Sequence, residues 1–430
     1  MWSDVTPEPR PQPEIRAGTQ SRCLPLRFAG VSMELMTNRP QAPKAAAGAN
    51  LTVIGGGLAG LVAAIEAAYR GASVRLVEAH DDLGGRGRTT APPHVAHQGP
   101  HVFYSDGPTW AWLRDRALLG KTASVPPSSL TRFHFRSGGR LVRVPPVALT
   151  RVLLDRNQAP VDASFTDWAS NRWNAGTARI AAAAAGVGVF HFDPGELSAA
   201  FVQYRLRRVF SLPPHASYIA GGWSSLIGRL TAEAERLGVT IETGRRVPTL
   251  PDGIVIVATS LDAARILLGD ESLTWPSGAA ALVDVAVKKD RRDAFVISDL
   301  DECGWLERFS APDPSLAPSG ESLVQAQIPL RPDESKASGI GRVEALLDLG
   351  LPQWRDRLTW RRDSIARGRT GAIDYPGRSW RDRPAIDRGN GIYLAGDQVA
   401  AAGLLSEVSF TSAIQAVDLA LARSTEMAPA

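Results

Sequence analysis

The chain has 430 residues, 44% apolar and 21% charged, with a formal net charge of +4. That length can hold two domains and a sizeable core, and the composition is that of an ordinary globular protein. The positive charge is arginine-borne, with five lysines (Lys44, Lys121, Lys288, Lys289 and Lys336) and no basic block, so a nucleic-acid partner is not expected. Cys23 and Cys303 stand far apart with no C-x-x-C spacing, which argues against a disulfide framework and, with scattered histidines, predicts no metal. A reducing, cytoplasmic setting is expected. No apolar run reaches the ~18–20 residues of a spanning helix. Contact with a membrane surface and the oligomeric state are left open.

Residues 1–48 read as a disordered tail, rich in Pro, Arg, Ser, Thr and Ala and without periodicity. They lack the apolar stretch of about 7–15 residues that a secretory signal needs. Met33 and Met36 lie nearer the first strand, so an over-called start codon is an expectation. Leu51 to Ile54 then reads as a buried parallel strand. G-x-G-x-x-G follows as Gly55, Gly57 and Gly60, then a helical segment and a second apolar run ending in Glu78. This order meets the requirements of a dinucleotide site. Gly55 permits a tight turn, Gly57 leaves room for a pyrophosphate, and Gly60 lets the helix approach the sheet. The N–H groups at the helix start, on Leu58, Ala59 and Gly60, face the phosphates with the helix dipole behind them. The Glu78 carboxylate is placed to accept from a ribose 2′-OH.

After Glu78 come Gly84, Gly85, Arg86 and Arg88. The pattern E-x-x-x-x-x-G-G-R, met by Glu78, Gly84, Gly85 and Arg86, resembles the flavin-containing amine oxidase and phytoene desaturase superfamily. The resemblance implies FAD rather than NAD, bound non-covalently, since neither Cys nor His stands next to the helix after Asp397 in the manner of cysteinyl-flavin enzymes. A glycine pair and an arginine fork suit a pyrophosphate; a plain surface charge is the alternative for Arg86. Further along, Val95 to Tyr104 resembles the family segment beside the isoalloxazine. It implies a place near the flavin for Gln98, Gly99, Pro100 and His101. His101 is the candidate general base, set against a histidine satisfied by backbone in a loop. Tyr104, Trp223 and Phe410 are pocket candidates against a plain core role.

The segment 126–209 opens with an expected hairpin, Thr131 to Pro145, turning at Ser-Gly-Gly. Helices follow through Trp168, Trp173 and Leu197 to Val209, and Ile180 to Phe190 reads as a buried helix. Tyr218 to Val247 resembles the family's Gly-Gly segment, helix and strand, implying that Val247 backbone holds the adenine. Ile254 to Thr259 matches the strand that closes the same sheet. Strand-like runs follow at Ala280–Val287, Ala294–Ser298 and Ser322–Pro329, with a helix near Lys336–Gly350. One of the adjacent Lys288 and Lys289 is a candidate for the lysine that amine oxidases place near N5, against a solvated face. Gly391 to Val399 resembles the second FAD fingerprint, falling on Gly396 and Asp397, with an ordinary turn aspartate as the alternative. The next helix, capped by Ser406 or Ser409, would present amides near Leu405 and Ser406 to the flavin.

The expected fold is α/β. A Rossmann-like, glutathione-reductase-like FAD-binding domain (49–125, 210–265 and 375–425) carries an inserted α+β substrate domain (126–209 and 266–374). The resemblance implies an FAD-dependent oxidoreductase that removes hydride from a small or medium apolar substrate, with a desaturase-like dehydrogenase ahead of an amine oxidase. Two readings compete with it: an isomerase or mutase that uses reduced FAD without net redox turnover, and a non-catalytic dinucleotide-binding protein.

Overall fold

The computed structural model describes residues 48–211 and 214–427. The expected tail, Gly48 apart, and Cys23 with it lie outside the described residues. Five strands form a wholly parallel sheet in the order Ile392–Leu394, Ile254–Val257, Asn50–Ile54, Ser73–Val77, Thr240–Glu242. Their near-continuous apolar runs reflect burial on both faces, with Val53, Leu76 and Ile256 wholly inside. The crossover helix Leu58–Tyr69 is rich in alanine, and its residues from Ala59 to Ala67 are buried. Small side chains let it lie close to the sheet on one side and to the C-terminal helix Ser406–Met427 on the other. Chain order reverses about the Asn50–Ile54 strand, and the crevice at such a switch point is where α/β sheets bind ligands.

A second sheet has seven strands, in the order Leu358–Ala372, Ser277–Lys288, Glu321–Pro329, Trp305–Glu307, Val296–Asp299, Phe133–Ser137, Arg140–Val142. Its neighbours are antiparallel except Val296–Asp299 with Phe133–Ser137. The long strand Ser277–Lys288 shows how one apolar run serves two layers. Ala281, Val283, Val285 and Val287 pack on the helix Lys336–Gly350 and Trp354. Ala280 and Leu282 face the other way, toward Phe190 and Leu405. Side chains two apart share a face, so this strand is covered on both sides.

The expected hairpin is present, with Ser137 paired to Arg140 across Gly138 and Gly139. Both glycines take positive φ (60° and 73°), as the favoured two-residue turn requires, and their N–H groups donate to the Asp301 carboxylate at 2.9 and 2.8 Å. Helices Phe165–Arg172 and Ala175–Ala184 start at Ser164 and Asn174, whose side chains cap the Asp167 and Thr177 amides. They pack with Val147–Leu154 and Ala199–Val209 around Ala178, Ala181 and Phe165. Among the described residues no helix is long and apolar enough to cross a membrane.

Candidate functional site

The three glycines of the first crossover meet different neighbours. Gly55 leaves the strand at φ +104°, and a Cβ there would sit 2.7 Å from Ala258 O. A Cβ on Gly60 would sit 1.8 Å from Gly55 O. The protein itself therefore demands both. Gly57 is different: nothing lies within 4 Å of a Cβ there, and its backbone is ordinary extended chain at φ −75°. The space beside Gly57, at the start of the helix bearing Leu58, Ala59 and Gly60, is kept clear by no contact within the chain. A cradle that a Cβ would fill, at a helix N-terminus, suits a diphosphate.

The G-G-R loop closes over this point. Gly84 N–H donates to Gly56 O at 2.8 Å, and a Cβ on Gly85 would lie 3.3 Å from Gly57 Cα. Glu78 sits just past its strand and is buried, with Oε2 accepting from Gly56 N–H at 2.6 Å and Oε1 from His80 N–H at 2.9 Å. Burial works against its charge, but these hydrogen bonds prevail and hold the carboxyl below its ordinary range. It is an ionised acceptor in a fixed position. The Thr240–Glu242 strand continues into coil tied back to it, with Arg245 N–H donating to Glu78 O at 2.9 Å. Val247, two residues on, is half-buried against the same core.

Folding brings Arg86 to Asp397 across nearly the whole chain. The guanidinium lies 2.7 Å from Asp397 Oδ2 and donates to Arg369 O at 2.8 Å. Gly396 is clamped by Ser412, whose Oγ accepts from Gly396 N–H at 3.0 Å and donates to Gly396 O at 3.1 Å. A Cβ on Gly371 would touch both Leu405 (3.5 Å) and Asp397 (3.7 Å). So the two glycine-bearing motifs, one near each end of the described chain, converge on a single place. Gly99 is half-buried at φ +115° with open space where a Cβ would be.

Two expectations need correction here. The C-terminal helix begins at Ser406, which puts Ser409 within its first turn, and Leu405 precedes it at φ +52°. Capping at this end comes instead from Glu407, whose Oε2 accepts from Leu404 N–H at 3.0 Å, while the Glu407 and Val408 amides turn to Leu404 O and Leu405 O. His101 is also not a loop histidine satisfied by backbone. Its ring is wholly buried, stacks on His97 (centroids 3.7 Å apart) and lies tilted against Phe309 (4.3 Å), and neither nitrogen has a partner among the described residues. Burial lowers its pKa to about 3, so it is neutral at ordinary pH, and it offers no exposed atom to a substrate. The open space is at Gly99, two residues earlier, and His101 points to the core. Phe410 is likewise buried, edge-on to Trp112, whereas Trp223 is half-buried on Phe103 and Tyr104 is half-buried under Arg208. Lys288 and Lys289 are both exposed, the solvated-face reading.

The buried polar groups that the sequence reading passed over lie on the second sheet. Registers set Arg362, Asp284, Gln325 and Glu307 side by side across four strands, with Ser364, Leu282, Gln327 and Trp305 as the next row. Arg362 and Gln325 both donate to Asp284, at 2.7 Å each. Glu307 accepts from Tyr218 OH and from Trp305 Nε1–H (2.9 Å), and burial pushes its carboxyl up to about 7. Gln327 has neither amide atom partnered among the described residues, and Gln325 Oε1 and His97 Nε2 are also left over. Unmade hydrogen bonds of this sort cost about 1–3 kcal/mol each. Two signals were available: glutamines at alternate positions of an otherwise apolar buried strand, and the H-x-x-x-H spacing of His97 and His101. That pair stacks its rings rather than converging on an ion, and among the described residues no group of three or more His, Cys, Asp or Glu is placed to hold a metal.

Residues 53–116 match the model of the NAD(P)-binding Rossmann-like domain. A stretch of 75 residues, 16% of this chain, is 32% identical to a protein of Klebsiella pneumoniae described as a probable UDP-galactopyranose mutase. The chain thus spans about a fifth of that relative's length. Cyclohexylamine oxidase from Brevibacterium oxydans superposes with a TM-score of 0.66 at 16% identity, covering 88% of this chain and 99% of that one. Reduced UDP-galactopyranose mutase superposes at 0.64 and 14%, covering 88% and 98%. An oxidoreductase from Methanosarcina mazei does so at 0.65 and 15%, covering 85% and 99%. The chain therefore carries a Rossmann-like dinucleotide-binding domain and shares the mixed α/β fold of these solved structures.

Proposed function

We propose that the chain binds FAD non-covalently at the first crossover and is an oxidoreductase that removes hydride from an apolar organic substrate. The observation that carries this is the open space at Gly57, at the helix start and with Gly85 packed close to Gly57 Cα. In this reading 49–125, 210–265 and 375–425 form the cofactor domain, and 126–209 with 266–374 the substrate domain. The amides of Leu58, Ala59 and Gly60 receive the pyrophosphate, Glu78 takes the adenosine ribose hydroxyls, and Val247 backbone the adenine. Arg86 and Asp397, an ion pair here, exchange some of that contact for the diphosphate and ribityl chain, with Gly85, Gly99 and Gly396 allowing close approach. Leu405 and Ser406 bring the positive end of the C-terminal helix to the flavin, where it favours negative charge. Bound FAD supplies a hydride acceptor without a side-chain nucleophile. Beside Leu405, Phe190, Ala280, Leu282 and Ala366 form a packed apolar cluster, in keeping with an apolar substrate. His101, wholly buried, is given no role in this reading.

A second reading, an isomerase or mutase that needs reduced FAD and shows no net redox turnover, is favoured by the mutase likeness. Anaerobic mixing of the flavin-loaded chain with amines, polyenes and terpenoids separates the two. Bleaching by one class supports the oxidoreductase. Product formation only after chemical reduction of the flavin, with none before it, selects the isomerase.

A further inference from the structure

Away from the crossover and the sheet face, exposed apolar side chains concentrate between Leu130 and Leu154. Val144 is 75% exposed, Leu154 73%, Val147 67% and Leu130 55%, and Val142 projects from the edge strand beside them. The helix Val147–Leu154 has two faces. Leu149 and Val152 are locked into the helical layer. Val147, Arg151 and Leu154, spaced i, i+4 and i+7, share the outward side. The outward stripe is thus apolar, basic, apolar, and the buried pair keeps it from turning inward.

Exposed arginines outnumber acids here, and the acid at the hairpin tip, Asp301, is already engaged by the Gly138 and Gly139 amides and lies 3.5 Å from Arg136. Arg140, Arg143, Arg151 and Arg156 are all exposed, and none belongs to an ion pair recorded among the described residues. Asp155, the one acid between Gly138 and Arg156, is already held by Arg172 at 2.9 Å. A second copy of this face would set arginine against arginine, and such like-charge contact disfavours self-association. Pro145 and Pro146 follow the edge strand after Arg143 and Val144 and discourage its extension by another chain. The same arrangement suits a lipid headgroup layer. Arginines reach phosphates while the apolar tips enter the acyl boundary.

We propose that this face, the hairpin tip with the helix Val147–Leu154, docks on an anionic phospholipid surface. The proposal does not depend on the flavin reading. Co-sedimentation of the full chain tests it, using phosphatidylcholine vesicles with and without phosphatidylserine. The chain should bind the anionic vesicles, less as salt rises. Arg143→Glu with Arg151→Glu should weaken partitioning by at least about twentyfold, from about fivefold per charge removed. Val144→Ser with Leu154→Ser should also release the chain. All four positions are exposed, so melting temperature and flavin content should match the parent. Failure of the parent to bind overturns the proposal. So does binding that survives both double variants, which would place it elsewhere on the chain. Self-association of the parent without vesicles, lost in the Val144→Ser, Leu154→Ser variant, would make the face an interface between copies and equally overturn it.

Discussion

The first crossover and the face of the seven-stranded sheet treat their polar groups in opposite ways. At the crossover the side chain and the closing loop are fixed, and only helix-start amides stay open: Glu78 is held by Gly56 and His80 amides, and Gly84 is pinned to Gly56. What is left over there is space, at Gly57. On the sheet face the space is filled and what is left over is hydrogen-bonding capacity, on Gln325, Gln327, His97 and His101. The crossover is built to receive a ligand whose shape its backbone already defines. The sheet face holds buried groups left without hydrogen-bond partners among the described residues, a cost that folding carries there.

Substitutions can break this comparison. The largest effect is expected at Gly60→Val, where the new side chain meets Gly55 backbone at a distance no rotamer relieves. Stability should fall by more than about 3 kcal/mol, the upper end of ordinary overpacking, seen as a collapsed melting temperature or no folded protein. Gly57→Val, three residues away, should instead leave the flavin-free protein within about 0.5 kcal/mol of the parent and abolish flavin binding. Equal destabilisation by the two would erase the distinction between a glycine the fold needs and a glycine the ligand needs.

Next in size is Glu307→Gln. The folded carboxyl titrates at about 7 rather than 4.5, so the native state holds its proton more tightly than the unfolded chain. The stability this contributes is fully present below pH 4.5 and lost as pH rises through 7, about 3 kcal/mol for a shift of this size. Denaturant melts of parent and Glu307→Gln between pH 4.5 and 8 should therefore diverge, with the parent losing more. Parallel curves would show that Glu307 is ionised and paired in some other way.

The smallest effect belongs to His101→Phe. A neutral, unpartnered ring among Phe309, Tyr218 and His97 is replaced by one of similar shape, so stability at pH 7 should change by less than about 1.5 kcal/mol and turnover should persist. The acid side sharpens the test. With the folded pKa depressed to about 3, the parent loses stability as pH falls below 6.5 toward 3, and the variant should lose less. Loss of turnover in this variant with flavin content intact would return His101 to the chemistry.

The crossover was legible because its requirements are local. Gly55, Gly57, Gly60 and Glu78 act through turn geometry, close approach and strand length, all of which follow from spacing along the chain. The hairpin at Gly138 and Gly139 and the helix at Lys336–Gly350 were legible for the same reason. His101 was not, because neighbours on one loop segment take opposite directions: Gly99 opens outward while His101 points to the core, and nothing local says which. Glu307 and the two glutamines depend on the pairing of distant strands, so their shared row appears only once registers are known. Ser412 clamps Gly396 from a helix turn beyond the fingerprint, and no motif spacing announces it.

The most direct measurement is a titration of the purified chain with FAD, followed by its visible spectrum and by the same titration of Gly57→Val. The parent is expected to take up one flavin per chain with a resolved, protein-perturbed spectrum, and the variant none while remaining folded. A parent that stays colourless after incubation with FAD, or a variant that binds flavin as well as the parent, would contradict a diphosphate at the Gly57 cradle.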